Sequence, residues 1–508
     1  MMNFINSIQS VLNNQKVATE NGALGYRTTG HELLDLNFSV ASLRRHSEEE
    51  IAVRFVKAYF ESPVLAVKWL FFARDARGGL GERRLFRVAM RALVEVDKNV
   101  ARAVLHLVPE YGRYDDLWSL IGTELEGDVI SLVRDRLASD KQAMDKGEPV
   151  SLLAKWMPSE NTSSLKTKAL ARTLRCALGM SSASYRKLLS AMRKHIDVVE
   201  RKMSAGEWSK ISYEAVPSRA NLVYSSAFLR NDEKRRTAYL DSVARGESKI
   251  NAGVLFPHDI VHKYCSSSYS RCGCYDEALE ELWKALPDLV NGDASTLVVA
   301  DGSGSMCTRV DPLSSVTALN VANALAIYFA ERSSGAFKDK YITFSARPQL
   351  VDLGKMNSLR EKLIVALAHD ECSNTNIEAT FNLILEAAVA DKLSQEDMPK
   401  NILIISDMEF DHATYGNVND TLFESIAKRY EEHGYALPRL VFWNVASRSG
   451  AIPVKENALG VALVSGFSVN VVKMVMSGEL DPYQCLVSTL EAPRYQAVSD
   501  ALLGVIAR

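Results

Sequence analysis

The stretch TLVVADGSGSM, residues 296–306, places oxygen-bearing side chains directly after an apolar run. Asp301 follows TLVVA, and Ser303 and Ser305 come next at alternate positions, each preceded by a glycine. One carboxylate and two hydroxyls at this spacing can converge on a hard divalent cation, which prefers oxygen ligands. The two glycines give the loop backbone the freedom to curl around such an ion.

Two more segments supply matching oxygen ligands. The run NILIIS, residues 401–406, ends immediately before a second aspartate, and the loop CSNTNIEATF, which leads into a helical pattern, contains a threonine. The three loops offer enough ligands for an octahedral cation, with positions left for water or an outside group. The predicted ligands are Asp301, Ser303, Ser305, Thr375 and Asp407.

Enzymatic interpretations of the same residues fit less well. A serine hydrolase would need G-x-S-x-G, but position 301 is an aspartate, and the phosphate-binding pattern G-x-x-x-x-G-K-[ST] does not occur. A phospho-aspartyl enzyme would need a second aspartate at position 303, where a serine stands. We therefore expect a binding protein that is not an enzyme, and a metal-dependent enzyme is the least favoured alternative.

The elements that must hold these loops follow from the hydrophobic pattern after residue 292. Continuous apolar runs at 296–300, 340–345, 401–406, 439–445 and 460–466 alternate with helical patterns. Such runs are typical of parallel strands covered on both faces. The pattern predicts a doubly wound α/β domain over residues 293–508, in which ligands bind at the carboxyl ends of the strands.

The pattern before residue 290 is helical. Segments such as EEEIAVRFVKAYFES and ERRLFRVAMRALVEV repeat apolar residues at helical spacing, and convincing strands are hard to find. Many short helices joined by turns predict an all-helical repeat domain over residues 41–290, although no strict sequence period is visible. Residues 1–40 are treated as a separate N-terminal segment.

Composition favours a soluble, cytoplasmic protein. The 508 residues carry a net charge of −2, so the chain as a whole is not a basic nucleic-acid binder. Its seven cysteines are scattered, which favours a reducing compartment over a disulfide framework. No signal peptide is visible, and the most apolar segment, SPVLAVKWLFFARD, contains a lysine and is too short to span a bilayer.

The predicted ligand pattern resembles the metal-ion-dependent adhesion site of von Willebrand factor A domains. In that family a D-x-S-x-S motif, a threonine in a second loop and an aspartate in a third bind Mg²⁺. Asp301, Ser303 and Ser305 match the motif, and Thr375 and Asp407 match the other two loops by order. The resemblance implies that an acidic residue from a protein partner completes the coordination of the metal.

The helical part carries a second resemblance. The strings FFARDARGGLGERRLF, PEYGRYDDLWSL, SLLAKWMPSENTSS, YEAVPSRA and KINAGVLFPHDIV resemble a widespread family of plants, bacteria, large viruses and phages. That family is similar to the TROVE module of Ro ribonucleoproteins. There, HEAT-like helical repeats form a ring closed by a von Willebrand A domain, and basic residues bind misfolded or small non-coding RNA. The resemblance implies a Ro-like RNA-binding scaffold.

Charge is distributed in a way that suits RNA binding. Residues 151–250 contain 19 Lys and Arg against 9 Asp and Glu. Phosphate contacts need basic residues that share a helix face, although an ordinary solvated face would show the same pattern. No aromatic motif for reading bases accompanies them, so we expect no sequence-specific recognition. The candidate RNA-binding residues are Lys166, Lys168, Arg172, Arg175, Arg186, Lys187, Arg193 and Lys194.

Three alternatives remain open. The chain could be a protein-only assembly module, such as a component of a viral or phage particle. The segment ARDARGGLGERR, residues 73–84, could be a phosphate-binding loop, although we favour an inter-helix turn with Arg–Asp pairs, such as Arg74 or Arg77 with Asp75. The segment HDIVHKYCSSSYSRCGC could bind zinc, but its C-x-C spacing is not the usual zinc knuckle.

Overall fold

The structure is a computed structural model of the chain. It describes residues 16–265, 272–292, 295–312, 314–344, 347–370, 376–411, 421–453, 461–476 and 481–506. The chain forms two compact units that interleave along the sequence. Unit 1 contains residues up to 65 and 252–492, and unit 2 contains residues 66–251 and those from 493 onward.

The units do not follow the predicted domains in chain order. The predicted boundaries, 1–40, 41–290 and 293–508, mark the points where the sequence pattern changes, whereas each unit is assembled from two separate stretches. Residues 252–290 illustrate the difference, because they are helical in sequence pattern but belong to unit 1. How the chain divides into independently folding domains stays a prediction.

A short hairpin and then a long series of helices make up residues 16–251. The hairpin pairs strand β1 (Lys16–Ala18) antiparallel with strand β2 (Leu24–Tyr26). The helices are α1 (Glu32–Phe38), α2 (Val40–Leu43), α3 (Glu48–Glu61), α4 (Pro63–Arg74), α5 (Arg83–Val96), α6 (Lys98–Val104), α7 (Val108–Tyr111), α8 (Glu126–Asp145), α9 (Leu153–Trp156), α10 (Leu165–Ala177), α11 (Ser182–His195), α12 (Val199–Ser204) and α13 (Ser218–Ala244).

Helices and strands alternate over most of the remaining chain. The strands are β3 (Thr296–Asp301), β4 (Lys340–Phe344), β5 (Gln349–Asp352), β6 (Asn401–Ser406), β7 (Arg439–Asn444) and β8 (Val461–Ser465). The helices are α14 (Pro257–Cys265), α15 (Glu277–Lys284), α16 (Ala318–Arg332), α17 (Leu359–Ala368), α18 (Ile377–Ala390), α19 (Leu422–Glu432), α20 (Val472–Met476), α21 (Pro482–Leu490) and α22 (Gln496–Leu502).

The six strands β3 to β8 form one sheet in the order β5-β4-β3-β6-β7-β8. All neighbours are parallel except β4 and β5, which pair antiparallel at one edge. The helical region and the mostly parallel C-terminal sheet confirm the coarse fold class predicted from sequence. The edge strand β5 and the hairpin β1–β2 were not predicted, because each strand has only three or four residues.

Burial explains the continuous apolar runs. Every residue of β3, β7 and β8 is buried, as expected for strands that are covered on both faces. Helix α16 packs against this sheet and is buried from Ala318 to Ala330. The chain connections reverse direction between β3 and β6, so the carboxyl ends of these two strands lie at the switch point of the sheet, where ligands bind in open α/β folds.

Unit 2 has its own core of helices. Phe71, Phe72 and Tyr111 pack with Tyr495, which comes from the C-terminal segment of the unit. Serine side chains fix the start of the two helices that carry the basic candidates. The Ser164 hydroxyl accepts the Thr167 N–H at the start of α10, and the Ser181 hydroxyl accepts the Ser184 N–H at the start of α11.

No helix in the described ranges is long and apolar enough to cross a membrane.

Candidate metal centre

The pairing of β3 with β6 brings the first site residue to its partner. Ala300 pairs with Ile405, so the next positions, Asp301 and Ser406, lie side by side at the ends of their strands. The Ser406 hydroxyl donates to Asp301 Oδ2 at 2.6 Å. The Asp301 side chain is buried, and its other oxygen accepts the backbone N–H of Ser303 at 2.9 Å.

The loop after β3 brings the serines toward the second aspartate. A short 3-10 helix begins at Gly304 and presents Ser305, whose hydroxyl lies 2.9 Å from that of Ser303. The Ser305 hydroxyl is also close enough to the Asp407 carboxylate to lower its pKa. The structure therefore brings four of the five predicted ligands, Asp301, Ser303, Ser305 and Asp407, into one group.

The backbone after β6 is held in an unusual conformation. Met408 has φ 63°, in the left-handed region that side chains other than glycine rarely adopt. Its N–H donates to the Ser406 hydroxyl at 3.0 Å, and the Glu409 N–H donates to Asp407 Oδ1 at 3.2 Å. These bonds fix the direction of the Asp407 side chain beside Asp301.

The two aspartates form an acidic pair in a poorly solvated place. Desolvation, followed by the negative charge of Asp407, raises the pKa of Asp301. Desolvation also raises the pKa of Asp407, against the opposing effect of its hydrogen bonds and of Arg448. Two buried carboxylates in one group carry more negative charge than their surroundings neutralise, and a divalent cation would relieve this.

One arginine lies beside the acidic pair. Arg448 Nη2 is 3.4 Å from Asp407 Oδ2 and 3.1 Å from Glu20 Oε2. Glu20 lies in the turn of the β1–β2 hairpin, so this guanidinium links the hairpin to the site. Arg45 is also close enough for the charges of Arg448, Asp407 and Glu20 to affect its pKa, which desolvation chiefly lowers.

Glu409 holds three segments together next to the site. Its buried carboxylate accepts the backbone N–H groups of Glu20, Arg448 and Ser449 at 2.9, 2.7 and 2.7 Å. The Asn21 side chain donates to the Glu409 carbonyl at 2.7 Å. The hairpin and the loop after β7 are thereby fixed to the end of β6.

The fifth predicted ligand, Thr375, lies outside the described residues. Asp370 does lie beside the site, because a Cβ atom at Gly302 would be only 3.1 Å from Asp370 Oδ1. The Asn323 side chain donates to Asp370 Oδ2 at 2.8 Å, and burial raises the pKa of Asp370 to about 6. A glycine at position 302 therefore allows this close approach.

The donor set fits a hard cation. Carboxylates and hydroxyls are the ligands that Mg²⁺ prefers, and the described donors contain no sulfur or imidazole. Nowhere in the described ranges do three or more His, Cys, Asp or Glu side chains form a metal-binding group. The present site has two aspartates and depends on serine hydroxyls for its other protein ligands, so its metal role stays a prediction.

Sequence reasoning did not find Ser406, Glu409, Arg448 or Asp370. Ser406 was within reach, since it is the last residue of a predicted strand and its register partner is Asp301. Glu409, Arg448 and Asp370 act through contacts between segments far apart in sequence, which no local spacing reveals.

Two family models match the chain. Domain of unknown function (DUF2828) matches residues 124–292, and Domain of unknown function (DUF7788) matches residues 295–491. Neither is the von Willebrand A or the TROVE model. "Uncharacterized protein L728" of Acanthamoeba polyphaga mimivirus is 30% identical over 515 aligned positions, which cover 93% of this chain and 87% of the viral protein. The chain belongs to the family of that viral protein.

In this family member the basic candidates lie on α10 and α11 of unit 2, and two of them each make several hydrogen bonds to their own chain. Arg193 donates to the carbonyls of Ala154 and Met157 and to the Ser159 hydroxyl, at 2.7 to 2.8 Å. Arg175 donates to Glu160 at 2.9 Å and to the Met180 carbonyl at 2.8 Å. These contacts give both arginines a structural role.

The other basic candidates are available to solvent. Arg186 donates weakly to the Ser182 carbonyl at 3.3 Å and is exposed. The side chains of the remaining five make no hydrogen bond or ion pair with any described residue, and the residues are exposed or half-buried; they are Lys166, Lys168, Arg172, Lys187 and Lys194. Their RNA contacts stay a prediction.

Residues of the segment 73–84 and of the His/Cys segment also make contacts that bear on the two open alternatives. Asp75 Oδ1 accepts the Arg77 backbone N–H at 2.9 Å, but its arginine side-chain partner is Arg494. Arg74 pairs with Asp116 instead. In the His/Cys segment, His262 hydrogen-bonds to Ser315 at 2.8 Å.

Proposed function

We propose that unit 1 binds Mg²⁺ through Asp301, Ser303, Ser305 and Asp407, and that the metal in turn binds an acidic residue of a protein partner. The observation that carries this proposal is the buried pair Asp301 and Asp407 at the ends of adjacent parallel strands, bridged by serine hydroxyls. Thr375 is the proposed fifth ligand.

A second part of the proposal is that unit 1 contains a von Willebrand A domain, and this would account for the same site. The strand order and the D-x-S-x-S loop at the switch point are what a von Willebrand A domain would present. In such a site the metal uses its free coordination position for a carboxylate from outside. Asp370 lies beside this loop, but it hydrogen-bonds to Asn323 and to none of the four ligands, which favours binding over catalysis.

Metal binding is tested by calorimetric titration of the full chain with Mg²⁺. Asp301→Ala should lower the Mg²⁺ affinity by more than about 100-fold, since it removes a direct charged ligand and even indirect partners cost 10–100-fold. Asp276→Asn, which changes a helix-capping aspartate of α15 in the same unit, is the matched control and should bind as the wild type does. Equal affinities for the wild type and Asp301→Ala would refute the ligand set.

Partner binding is tested with an array of immobilised peptides that vary in Asp and Glu content. We expect bound peptides to carry an acidic residue, and their binding to require Mg²⁺ and Asp301. Binding that persists in EDTA, or that shows no need for an acidic residue, would refute this part of the proposal.

The exposed cations of α10 and α11 favour a second function for unit 2. The side chains of five of them have no partner among the described residues. Unpaired positive charge of this kind is what phosphate binding requires. We propose that this helical unit, a HEAT-like array related to the TROVE module, binds structured RNA without sequence specificity. The alternative, a protein-only assembly module, predicts no RNA binding.

RNA binding is tested by fluorescence anisotropy with a labelled stem-loop RNA over a range of salt concentrations. Charge reversal of Arg186 and Lys187 to Glu should weaken binding and reduce its salt dependence, because fewer counterions are released. Arg245→Glu with Lys249→Glu, which reverses two exposed charges just after α13, is the control. Salt-insensitive binding, or no difference between the variants, would favour the protein-only alternative.

A further inference from the structure

Unit 2 contains a cluster in which arginines outnumber carboxylates. We call it the Arg83 cluster, and its members come from the end of α4, the start of α5 and the segment between α7 and α8. It contains four guanidinium groups and two carboxylates, so it carries two unbalanced positive charges. The members are Arg74, Arg83, Arg87, Arg113, Asp115 and Asp116.

Both carboxylates of the cluster are bonded to other arginines. Asp116 accepts Nε of Arg74 and Nε of Arg87, each at 2.7 Å, and the backbone N–H of Arg113 at 3.0 Å. Asp115 accepts Nε and Nη2 of Arg113 at 2.8 and 2.6 Å, and Nη2 of Arg87 at 3.0 Å. Each aspartate thus accepts three of the about four hydrogen bonds that a carboxylate can take, and none of them comes from Arg83.

Arg83 is the arginine left without a partner. The residue is exposed as a whole, but protein atoms crowd its guanidinium, and its side chain makes no hydrogen bond or ion pair with any described residue. Desolvation of its guanidinium, followed by the like charges of Arg113, Arg87 and Arg74, lowers its pKa to about 10, and the charge of Asp115 offsets only part of this.

The helix that carries Arg83 adds to its positive surroundings. Arg83 is the first residue of α5; the first turn of that helix contains no acidic residue, and its N-cap is the buried Glu82. The N-terminal end of a helix is its positive end, which is unfavourable for a cation and favourable for an anion. Arg87 is four residues later and therefore on the same face of the helix.

The neighbouring guanidiniums are held in place with donors to spare. Arg113 lies 3.9 Å over the Trp156 ring and is fixed by Asp115, and Arg87 is fixed by both aspartates. In each of these two arginines Nη1 makes no hydrogen bond with any described residue. The side chains of Arg87 and Arg113 are 29% and 26% exposed, respectively, so these donors are within reach of a solute.

We propose that Arg83, together with Arg87 and Arg113, binds a phosphate group. A phosphate carries close to two negative charges, which matches the excess of the cluster, and its oxygens suit the fork of a guanidinium. The two aspartates orient the arginines, and Arg83 supplies the free charge. This assigns a binding role to the segment ARDARGGLGERR that the turn interpretation leaves out.

The phosphate can belong to a small phosphorylated compound or to an RNA backbone. The proposal does not depend on the metal site, and only its RNA source rests on the proposed RNA binding. If Arg186→Glu with Lys187→Glu leaves RNA binding unchanged but Arg83→Gln still abolishes the response to phosphate, the RNA proposal fails while the phosphate site stands.

The test compares the melting temperature of the full chain in inorganic phosphate and in NaCl of equal ionic strength. Phosphate should raise the melting temperature of the wild type, Arg83→Gln should lose most of that rise, and Arg83→Lys should keep only part of it, because the fork is lost. Arg84→Gln, an equal charge change at the next exposed position of α5, should respond as the wild type does. Equal responses of wild type and Arg83→Gln would overturn the proposal.

Two further readouts remove ambiguity. Without phosphate, the melting temperature of Arg83→Gln should be no lower than that of the wild type, because the substitution removes an unpaired charge from among like charges. A clearly lower melting temperature would mean that Arg83 is a structural residue and would overturn the proposal. In anisotropy with labelled RNA, a loss of affinity of about 3- to 10-fold for Arg83→Gln relative to Arg84→Gln assigns the phosphate to RNA. Equal RNA affinities, with the phosphate response lost, assign it to a small compound.

Discussion

Asp301 and Asp407 would gain from a cation more than from any protein group near them. Each carboxylate has hydrogen bonds from serines or backbone, and Arg448 approaches Asp407, yet both keep a raised pKa. Hydrogen bonds and one partly exposed guanidinium thus do not offset burial and mutual repulsion. This incompletely neutralised negative charge lies at the site where a cation would bind.

The raised pKa of Asp301 predicts a pH-dependent stability in EDTA. Because the folded carboxyl holds its proton to a higher pH than the unfolded one, whose pKa is about 3.9, the free energy of unfolding should fall as the pH rises from about 4 toward 7. Asp301→Asn removes this titration. Between pH 5 and pH 8 its free energy of unfolding should therefore fall by about 1–3 kcal/mol less than that of the wild type. Denaturant unfolding at several pH values measures the difference.

The control for this measurement is Asp276→Asn, which should keep the wild-type slope. A wild-type free energy of unfolding that does not fall over this range, or an equal fall in Asp301→Asn, would contradict the raised pKa. In saturating Mg²⁺ the fall should disappear, since the metal replaces the proton at the pair.

Arg448 makes the second prediction at this scale. Its guanidinium partly neutralises Asp407 and repels an incoming cation, so Arg448→Gln should raise the Mg²⁺ affinity by about 3- to 10-fold. The bond from the Arg448 backbone to Glu409 survives the substitution. Calorimetric titration measures the affinity, with Lys428→Gln on α19 as the control; a weaker affinity in Arg448→Gln would show that the arginine supports the metal site.

Among the elements, the ends of β6 and β7 and the turn of the β1–β2 hairpin are joined through one buried side chain. Glu409 accepts three backbone N–H groups from two of these segments, and these part-buried donors would otherwise lose their acceptor. The rigidity of the metal centre therefore depends on a residue that is not itself a predicted ligand.

Glu409→Ala should lower the free energy of unfolding by about 2 kcal/mol or more, because it removes a buried carboxylate that accepts three part-buried donors. Glu409→Gln keeps an acceptor oxygen, so its free energy of unfolding should fall by less. Chemical denaturation of both variants measures the two values. A loss for Glu409→Ala below about 1 kcal/mol would mean that the segments are held by other contacts.

The same elements show what the sequence could predict. The five long apolar runs matched β3, β4, β6, β7 and β8 closely, because buried parallel strands need uninterrupted apolar side chains. The strand ends then located Asp301 and Asp407. The roles of Glu409, of Arg448 and of Arg193 could not be predicted, because each depends on a partner that only the folded chain brings near.

In the whole molecule, the last described residues belong with the middle of the chain. Arg494 Nη2 lies 2.8 Å from Asp75 Oδ1, and the Tyr495 ring stacks 5.7 Å from that of Tyr111. Unit 2 is thus completed by a segment that the sequence pattern assigned to the C-terminal domain. Pattern changes along a chain mark changes of secondary structure, and they cannot show that a distant segment returns.

Removal of all residues after Ala492 should destabilise unit 2 and spare unit 1. We expect backbone amides of α4 and α6 in unit 2 to exchange with solvent at least about tenfold faster, because the truncation exposes apolar side chains and removes the partner of Asp75. Hydrogen exchange followed by mass spectrometry measures this, with peptides from β3 and β6 as the internal control. Unchanged exchange in unit 2 would contradict the assignment of the C-terminal segment.

The helices α14 and α15 have a consequence for how this gene can change during evolution. Glu280 on α15 accepts the backbone N–H of Leu359, and His262 on α14 contacts Ser315, so both helices are integral to the sheet-containing unit. The boundary between the two family matches, near residue 293, therefore cuts through one folded body. Recombination there would separate parts that need each other, and we expect homologous genes to inherit the two matched regions as a pair.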